Sequence, residues 1–460
     1  MSNADWSRAA ARLDRLPSCR TIWSFVGLIS VGAFFEIYDI GLTSVMAPGL
    51  FKANVFHNGS AGLFGLNDQA SFVAATFLGL WLGTLVFSQI ADRIGRKPIF
   101  TISLIWYGLA SAVMSLQSTA AAVDVWRLIA GLGVGIQIVA IDCYLAELVP
   151  PKIRGRAFAV STFLQFLAVP TVAILALILV PVRPLGIDGW RWLGWVPALG
   201  ATLVWWGQQS LPESPRWLAD HGHWEKADTV LRAIERRIEC ETGHSLEDPR
   251  PLTAIQQPSR MVSLWKPPYR RRTIMLSVFH ILQSVGYFGF ASWAPTLLEA
   301  RGVTVTKSLA YLVAIGFSYP IAPIAISSFA DRMERKWQII VGALGAAAFG
   351  LLFAQQSSAL GWIICGVLLS VSNILMTIGF HAYQSEIFPT HVRARAVGLV
   401  YSFSRLSAVL SGYLIAFVLQ YSGVTSVFIV TSATLVLAAS TIWLYGPRTD
   451  RKSLEEISPT

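Results

Sequence analysis

The sequence predicts an all-α membrane protein of twelve transmembrane helices in two pseudo-symmetric six-helix bundles. Three observations carry this. Of 460 residues, 54% are hydrophobic and only 13% charged, against about 25% charged in soluble domains. Apolar runs of about 20 residues recur along the whole chain, enough to cross a bilayer core of roughly 30 Å as helices. Third, a charged pattern repeats: Asp92, Arg93, Arg96 and Lys97 return 239 residues later as Asp331, Arg332, Arg335 and Lys336. The same offset of 239 relates Tyr144, Glu147, Pro150, Arg154 and Arg156 to Tyr383, Glu386, Pro389, Arg393 and Arg395. The chain reads as two copies of one membrane unit.

In order, the spans fall near 22–48, 70–90, 99–119, 123–148, 157–180, 190–211, 273–298, 309–329, 337–355, 359–386, 395–420 and 424–446. The first 21 residues are polar and contain arginine. The run after them is too long for a signal-peptide core and is kept as a membrane helix. Alternate loops placed on opposite sides hold 29 and 5 Lys plus Arg residues, which predicts both termini in the cytoplasm. One long loop separates the repeats. The division is therefore 1–211, a linker 212–272, and 273–460. Within the linker, residues 224–239 carry apolar side chains at helical spacing and predict an amphipathic helix against the inner face.

The formal charge of +10 serves topology and does not point to nucleic acid. Cys19, Cys143, Cys240 and Cys365 are too scattered for a ligand set. No nucleophile, metal or phosphate constellation appears, so an enzyme is not expected. Gly131, Gly133 and Gly135 lack dinucleotide-loop spacing and a preceding strand. They read as packing glycines that let a neighbouring helix approach. Asn58-Gly-Ser60 matches a glycosylation pattern by chance.

Ionisable groups inside a bilayer are costly and mark functional sites by default. Five stand out: Glu36 and Asp39 in span one, Arg127 and Asp142 in span four, and Arg405 in span eleven. Glu36 and Asp39 are three apart and share a helix face. A carboxyl group in a low-dielectric cavity can hold a proton near neutral pH, and an approaching guanidinium expels it. Asp39 with Arg127 is thus a candidate proton switch, with Glu36 as auxiliary or alternative and Asp142 a further candidate. Arg405 has the planar fork to hold a substrate carboxylate with two hydrogen bonds. Tyr287, Phe288, Phe380 and Tyr383 are candidates to sandwich a flat ring, and Gln283 and Asn373 are neutral polar partners. On the inner side, Asp92 and Asp331 are expected near helix starts. Glu147 with Arg154 or Arg96, and Glu386 with Arg393 or Arg335, are expected ties of a cytoplasmic gate that also includes Arg93 and Arg332.

Asp92-Arg-Ile-Gly-Arg-Lys97 resembles the signature of the major facilitator superfamily between spans two and three, with Ser88 where that signature usually has Gly. Glu147 to Arg156 and Glu386 to Arg395 resemble its matching signatures after spans four and ten. Pro212-Glu-Ser-Pro-Arg-Trp-Leu218 and Ser453-Leu-Glu-Glu-Ile457 resemble sugar-porter landmarks. The sugar-binding landmarks are weaker: paired glutamines shrink to Gln283, and Gly379-Phe380 and Tyr383 stand where Gly-Pro and Trp are expected. Phe35-Glu-Ile-Tyr-Asp-Ile-Gly41, Tyr287 to Leu298 and Ser404-Arg405 resemble proton-coupled permeases for small carboxylic acids, including nicotinate and aromatic-acid types. The resemblance implies alternating access by rocking of the two halves. It also implies symport of a proton with a small anion, no cofactor beyond the proton, and a monomer in a plasma membrane of bacterial inner-membrane type. A sugar or polyol symporter, an efflux antiporter, a facilitator and a non-transporting receptor are the competing expectations.

Overall fold

A computed structural model describes residues 3–57, 67–207, 210–249, 264, 265, 267, 269–330, 333–388 and 390–448, with side chains omitted at 3–7, 86–92, 138, 139, 327–330, 385 and 390–395. A short helix α1 (Asn3–Asp14), not foreseen in the polar leader, precedes the first span. Span one is α2 (Arg20–Val45), continued by α3 (Ala47–Lys52) where Pro48 restarts the helix. Spans two to four are α4 (Asp68–Ile94), α5 (Arg96–Met114) and α6 (Ala120–Leu148). Span five is α7 (Pro151–Phe166) with α8 (Ala168–Leu179), broken before Pro170, and span six is α9 (Gly189–Gly207). The linker holds α10 (Pro215–Asp220) and α11 (Trp224–Thr242).

Span seven is α12 (Tyr269–Ala291) with α13 (Ala294–Glu299), interrupted ahead of Pro295. Span eight is α14 (Val305–Gly316) with α15 (Ser318–Ala330), and spans nine and ten are α16 (Arg335–Gln355) and α17 (Ala359–Glu386). Spans eleven and twelve run together as α18 (Thr390–Tyr445) and reverse at Gly423, whose φ of 75° only glycine adopts freely. Nine stretches among the described residues are long and apolar enough to cross a membrane. The last contains both final spans, and α4 and the Trp-rich α9 bring the expected twelve.

Within the first half, α4 and α6 touch backbone to backbone. A Cβ added at Gly79 would lie 2.3 Å from the Leu128 carbonyl, and one at Gly135 would lie 2.3 Å from that of Leu80. The glycines of span four are packing glycines, as their spacing suggested. The repeat also holds in its bonds. Arg96 Nε meets Glu147 at 3.0 Å, and Arg335 Nε meets Glu386 at 3.6 Å. Tyr144 and Tyr383 donate their hydroxyls to the carbonyls of Pro212 and Pro447, each just beyond the sixth helix of its half.

The linker helix α11 is amphipathic, and its apolar face docks on α1 and the first bundle. Ala227, Leu231, Ile234 and Ile238 are buried in one cluster with Leu13, Leu16 and Phe25. Around that seam Arg12 pairs with Asp228 at 2.6 Å and Glu235 at 2.5 Å, and Arg15 pairs with Glu235 at 2.6 Å. Glu241 accepts the backbone N–H of Thr21 at 2.9 Å and its hydroxyl at 2.7 Å, capping the start of α2.

Burial pushes the Glu235 carboxyl up, but hydrogen bonds from Arg12 and Arg15 outweigh it and hold the group below the usual carboxylate range. A depressed carboxylate stabilises fully above its unfolded value, about 4.3, and that contribution is lost as pH falls through the folded value. Spin labels at the exposed positions Arg8 and Arg236 should therefore hold one narrow distance at neutral pH and broaden only when the pH falls below the usual carboxylate range. In Glu235→Gln the broadening should already be present at neutral pH.

Candidate functional site

The first centre lies wholly inside the amino-terminal half. Arg127, from α6, is 0% exposed, and Asp39, from α2, is 1% exposed. Arg127 Nη1 donates to Asp39 Oδ2 at 2.9 Å, and Nη2 donates to the Asp39 carbonyl at 2.5 Å. The remaining donors reach Thr43 Oγ1 and Thr76 Oγ1, each at 2.9 Å. Ser111 Oγ donates to Asp39 Oδ1 at 2.6 Å. The guanidinium also lies 5.5 Å from the Phe72 ring centroid. Both charges are thus paired and hydrogen-bonded, which is the condition for keeping a buried ion pair. The two members of the candidate proton switch, whose contact the residues alone do not show, are paired; the three hydroxyls that complete the site were not anticipated. Thr43, Thr76 and Ser111 look in sequence like any helix hydroxyl.

Glu36 is turned away from this pair. It is 3% exposed, makes no hydrogen bond among the described residues, and has Asp142 and Arg405 as its charged neighbours. The three-residue spacing from Asp39 therefore does not place both acids in one cluster: Asp39 pairs with Arg127 inside its bundle, whereas the charges nearest the buried Glu36 are Asp142 and Arg405. Asp142 is exposed on the cleft wall, one helix with Arg127 yet remote from it.

Across the cleft, Arg405 of α18 is half-buried. Its Nη2 donates to the Tyr401 hydroxyl at 3.3 Å and its guanidinium lies 5.1 Å from that ring. No carboxylate among the described residues pairs with it. Beside it sits a group that residue-type reasoning passed over. The His280 ring packs edge-on to Phe380 at 5.1 Å and to Tyr401 at 5.4 Å, while His381 lies 5.6 Å from Tyr401. His280 Nε2 is 3.1 Å from Gln384 Oε1, and its Nδ1 has no hydrogen-bond partner among the described residues. His381 is exposed to the cleft. His280 lies three residues before Gln283 on span seven, and that spacing, which puts both on one helix face, was the available signal.

Several expected contacts are corrected. Tyr383 is 0% exposed and spends its hydroxyl at the inner end of α17, away from the cleft. Phe288 packs on Phe77 of the other half with ring centroids 4.4 Å apart, so it seals a seam and does not face a ligand. Phe380 is 3% exposed and backs the two histidines. Gln283 is 5% exposed and bonds Ser284 and Ser404 weakly, at 3.4 Å each. Asn373 is 2% exposed, with its Oδ1 unpartnered. Tyr287 is half-buried, with Tyr319 the neighbouring hydroxyl.

At the inner gate Glu147 pairs with Arg96 and not with Arg154, which donates to the Val149 carbonyl at 3.3 Å. Arg93 is exposed. Asp92 falls in the last turn of α4, at a helix end and not a helix start. The start of α5 is capped instead by Glu213, which accepts the Arg96 N–H at 2.9 Å. The side chains of Asp92 and Arg393, and the whole of Asp331, Arg332, Asn58–Ser60 and Ser453–Ile457, lie outside the described residues.

The two halves meet on the outer side. Gln69 and Thr296 exchange hydrogen bonds of 2.8 and 3.1 Å, Phe77 meets Phe288, and a Cβ on Gly412 would lie 3.1 Å from Val73. Among the described residues, the Arg96–Glu147 and Arg335–Glu386 pairs each lie within one half. The exposed Asp142 and His381 lie toward the carboxy-terminal ends of α6 and α17, the ends away from the outer contact.

The family described as Sugar (and other) transporter matches residues 25–460. The chain belongs to that family, within the major facilitator superfamily. This transporter is 30% identical to YyaJ of Bacillus subtilis (strain 168) over 98% of its own length and 97% of the relative's. It is 24% identical to the Niacin transporter NiaP of Acinetobacter baylyi, over 97% of its length and 99% of the relative's. Its fold matches the inward open conformation of the xylose transporter XylE from E. coli with a TM-score of 0.74 at 22% identity, covering 95% of this chain and 99% of that one. It is a multi-pass inner-membrane transporter and not an enzyme.

Proposed function

We propose that the transporter imports a small organic anion, of the aromatic or pyridine monocarboxylate class, together with a proton. The observation that carries this reading is Arg405: a guanidinium on the cleft wall, backed by Tyr401 and the histidine pair, with no ion pair to a carboxylate among the described residues. A planar carboxylate fits its fork with two hydrogen bonds, and the neighbouring rings offer a flat apolar wall. The buried Asp39–Arg127 pair supplies the coupling. A proton on Asp39 removes the charge that holds Arg127 and frees α2 from α6; its departure restores the Asp39–Arg127 pair. One proton with one monoanion moves no net charge.

Uptake of external radiolabelled nicotinate by liposomes holding the purified protein, and a thermal-shift panel of nicotinate, benzoate and xylose, test this. Binding to the folded state raises apparent stability by about 2.7 kcal/mol at a hundredfold excess over Kd. Nicotinate or benzoate should shift the transition and xylose should not, and uptake should accelerate at acidic external pH. A shift with xylose alone, or uptake indifferent to pH, would sink the reading.

A further inference from the structure

Asp124 lies one turn outward of Arg127 on α6, and the coupling pair does not use it. It is 0% exposed, and neither carboxylate oxygen has a hydrogen-bond partner among the described residues. The groups near enough to act on it electrostatically are Asp68, from the first turn of α4, and the Tyr413 hydroxyl, from α18. Asp68 is itself buried and occupied: it accepts the His57 backbone N–H at 2.8 Å, with the His57 ring nitrogen 4.0 Å away. Arg127, on Asp124's own helix, spends its donors on Asp39, Thr43 and Thr76. An ionised Asp124 would be a buried charge with only another acid beside it, which a neutral carboxylic acid avoids.

Its location gives this group a role. Asp124 stands behind the outer seam, where α4 meets α18 and where Gly412 approaches the Ala70 carbonyl at 3.5 Å from an added Cβ. Parting that seam is what opening to the outside requires, and it admits water to the carboxyl. We propose that Asp124 is a second proton-carrying site of this transporter, loaded from the outer side when the seam parts and kept neutral when it closes. The inference deepens the proton-coupled reading, but proton binding at Asp124 can be measured with no substrate present.

The experiment is infrared difference spectroscopy on the full chain in lipid bilayers, titrated from about pH 5 to about pH 9. Wild type should show the carbonyl stretch of a protonated carboxyl group that titrates in this window. Asp124→Asn should remove that band and Asp39→Asn should retain it. Asp124→Glu, which guards against a folding defect in the first variant, should keep a band at an altered titration midpoint. A spectrum unchanged by Asp124→Asn, or a lost band that never titrated, would overturn the proposal. Neither result depends on whether nicotinate is carried, so this inference and the substrate reading can fail separately.

Discussion

Asp39→Asn is expected to abolish concentrative uptake. The substitution keeps an oxygen that can accept from Arg127 Nη1, now 2.9 Å from Asp39 Oδ2, but it removes the negative charge. Arg127 is then a guanidinium at 0% exposure with only neutral acceptors. Breaking a buried pair by removing one partner costs about 3–5 kcal/mol, most of it the uncompensated charge that remains. Two consequences separate. In a proton-driven assay the accumulation ratio should fall to that of simple equilibration, because the proton has no acceptor in the pair. In detergent the melting temperature should drop, and Asp39→Asn with Arg127→Gln together should recover part of that loss, since no unpaired charge is left. Normal accumulation by a well-folded Asp39→Asn protein would show that coupling lies elsewhere. Glu36 and Asp142 would then be next in line.

Replacing Arg405 by Ala should cost about 3 kcal/mol of affinity, roughly a hundredfold in Kd, for any carboxylate ligand. The thermal stability of the empty protein should hardly change. Arg405 makes one 3.3 Å bond to Tyr401 and no ion pair among the described residues, so little of the fold depends on it. Arg405→Lys should recover only part of the binding, because an ammonium keeps the charge and loses the two-pronged geometry. Isothermal calorimetry with nicotinate or benzoate reads both variants. Equal affinity in wild type and Arg405→Ala would remove Arg405 from the site.

Much of the architecture is legible in the residues. Runs of bilayer length, the 239-residue repeat and the Lys/Arg asymmetry define two six-helix units. The costs behind these signals are large and local: a charge in lipid, or a helix too short to cross, is heavily penalised wherever it occurs. The same logic picked out Asp39, Arg127 and Arg405, because buried charges need partners or a function.

Side-chain direction was not legible. Glu36 and Asp39 are three positions apart, yet the charges nearest one are Asp142 and Arg405 and the other meets Ser111 and Arg127 within its bundle. Helical spacing bounds which residues share a face but not which neighbour lies across it. Tyr383 and Phe288 have the right chemistry for a ring contact and the wrong surroundings: one closes the inner end of α17 and the other closes the outer seam. Arg154 and Arg96 are equivalent by charge, and only packing decides that Glu147 takes Arg96.

The sequence by itself determined that this protein crosses the membrane in duplicate and carries a buried acid and two intramembrane arginines, because hydrophobic transfer and charge burial are set residue by residue. The tertiary structure alone decided which acid meets which arginine, and that His280 and His381 flank Arg405. Those outcomes depend on how helices far apart in the chain are rotated against one another, and no local pattern encodes that rotation.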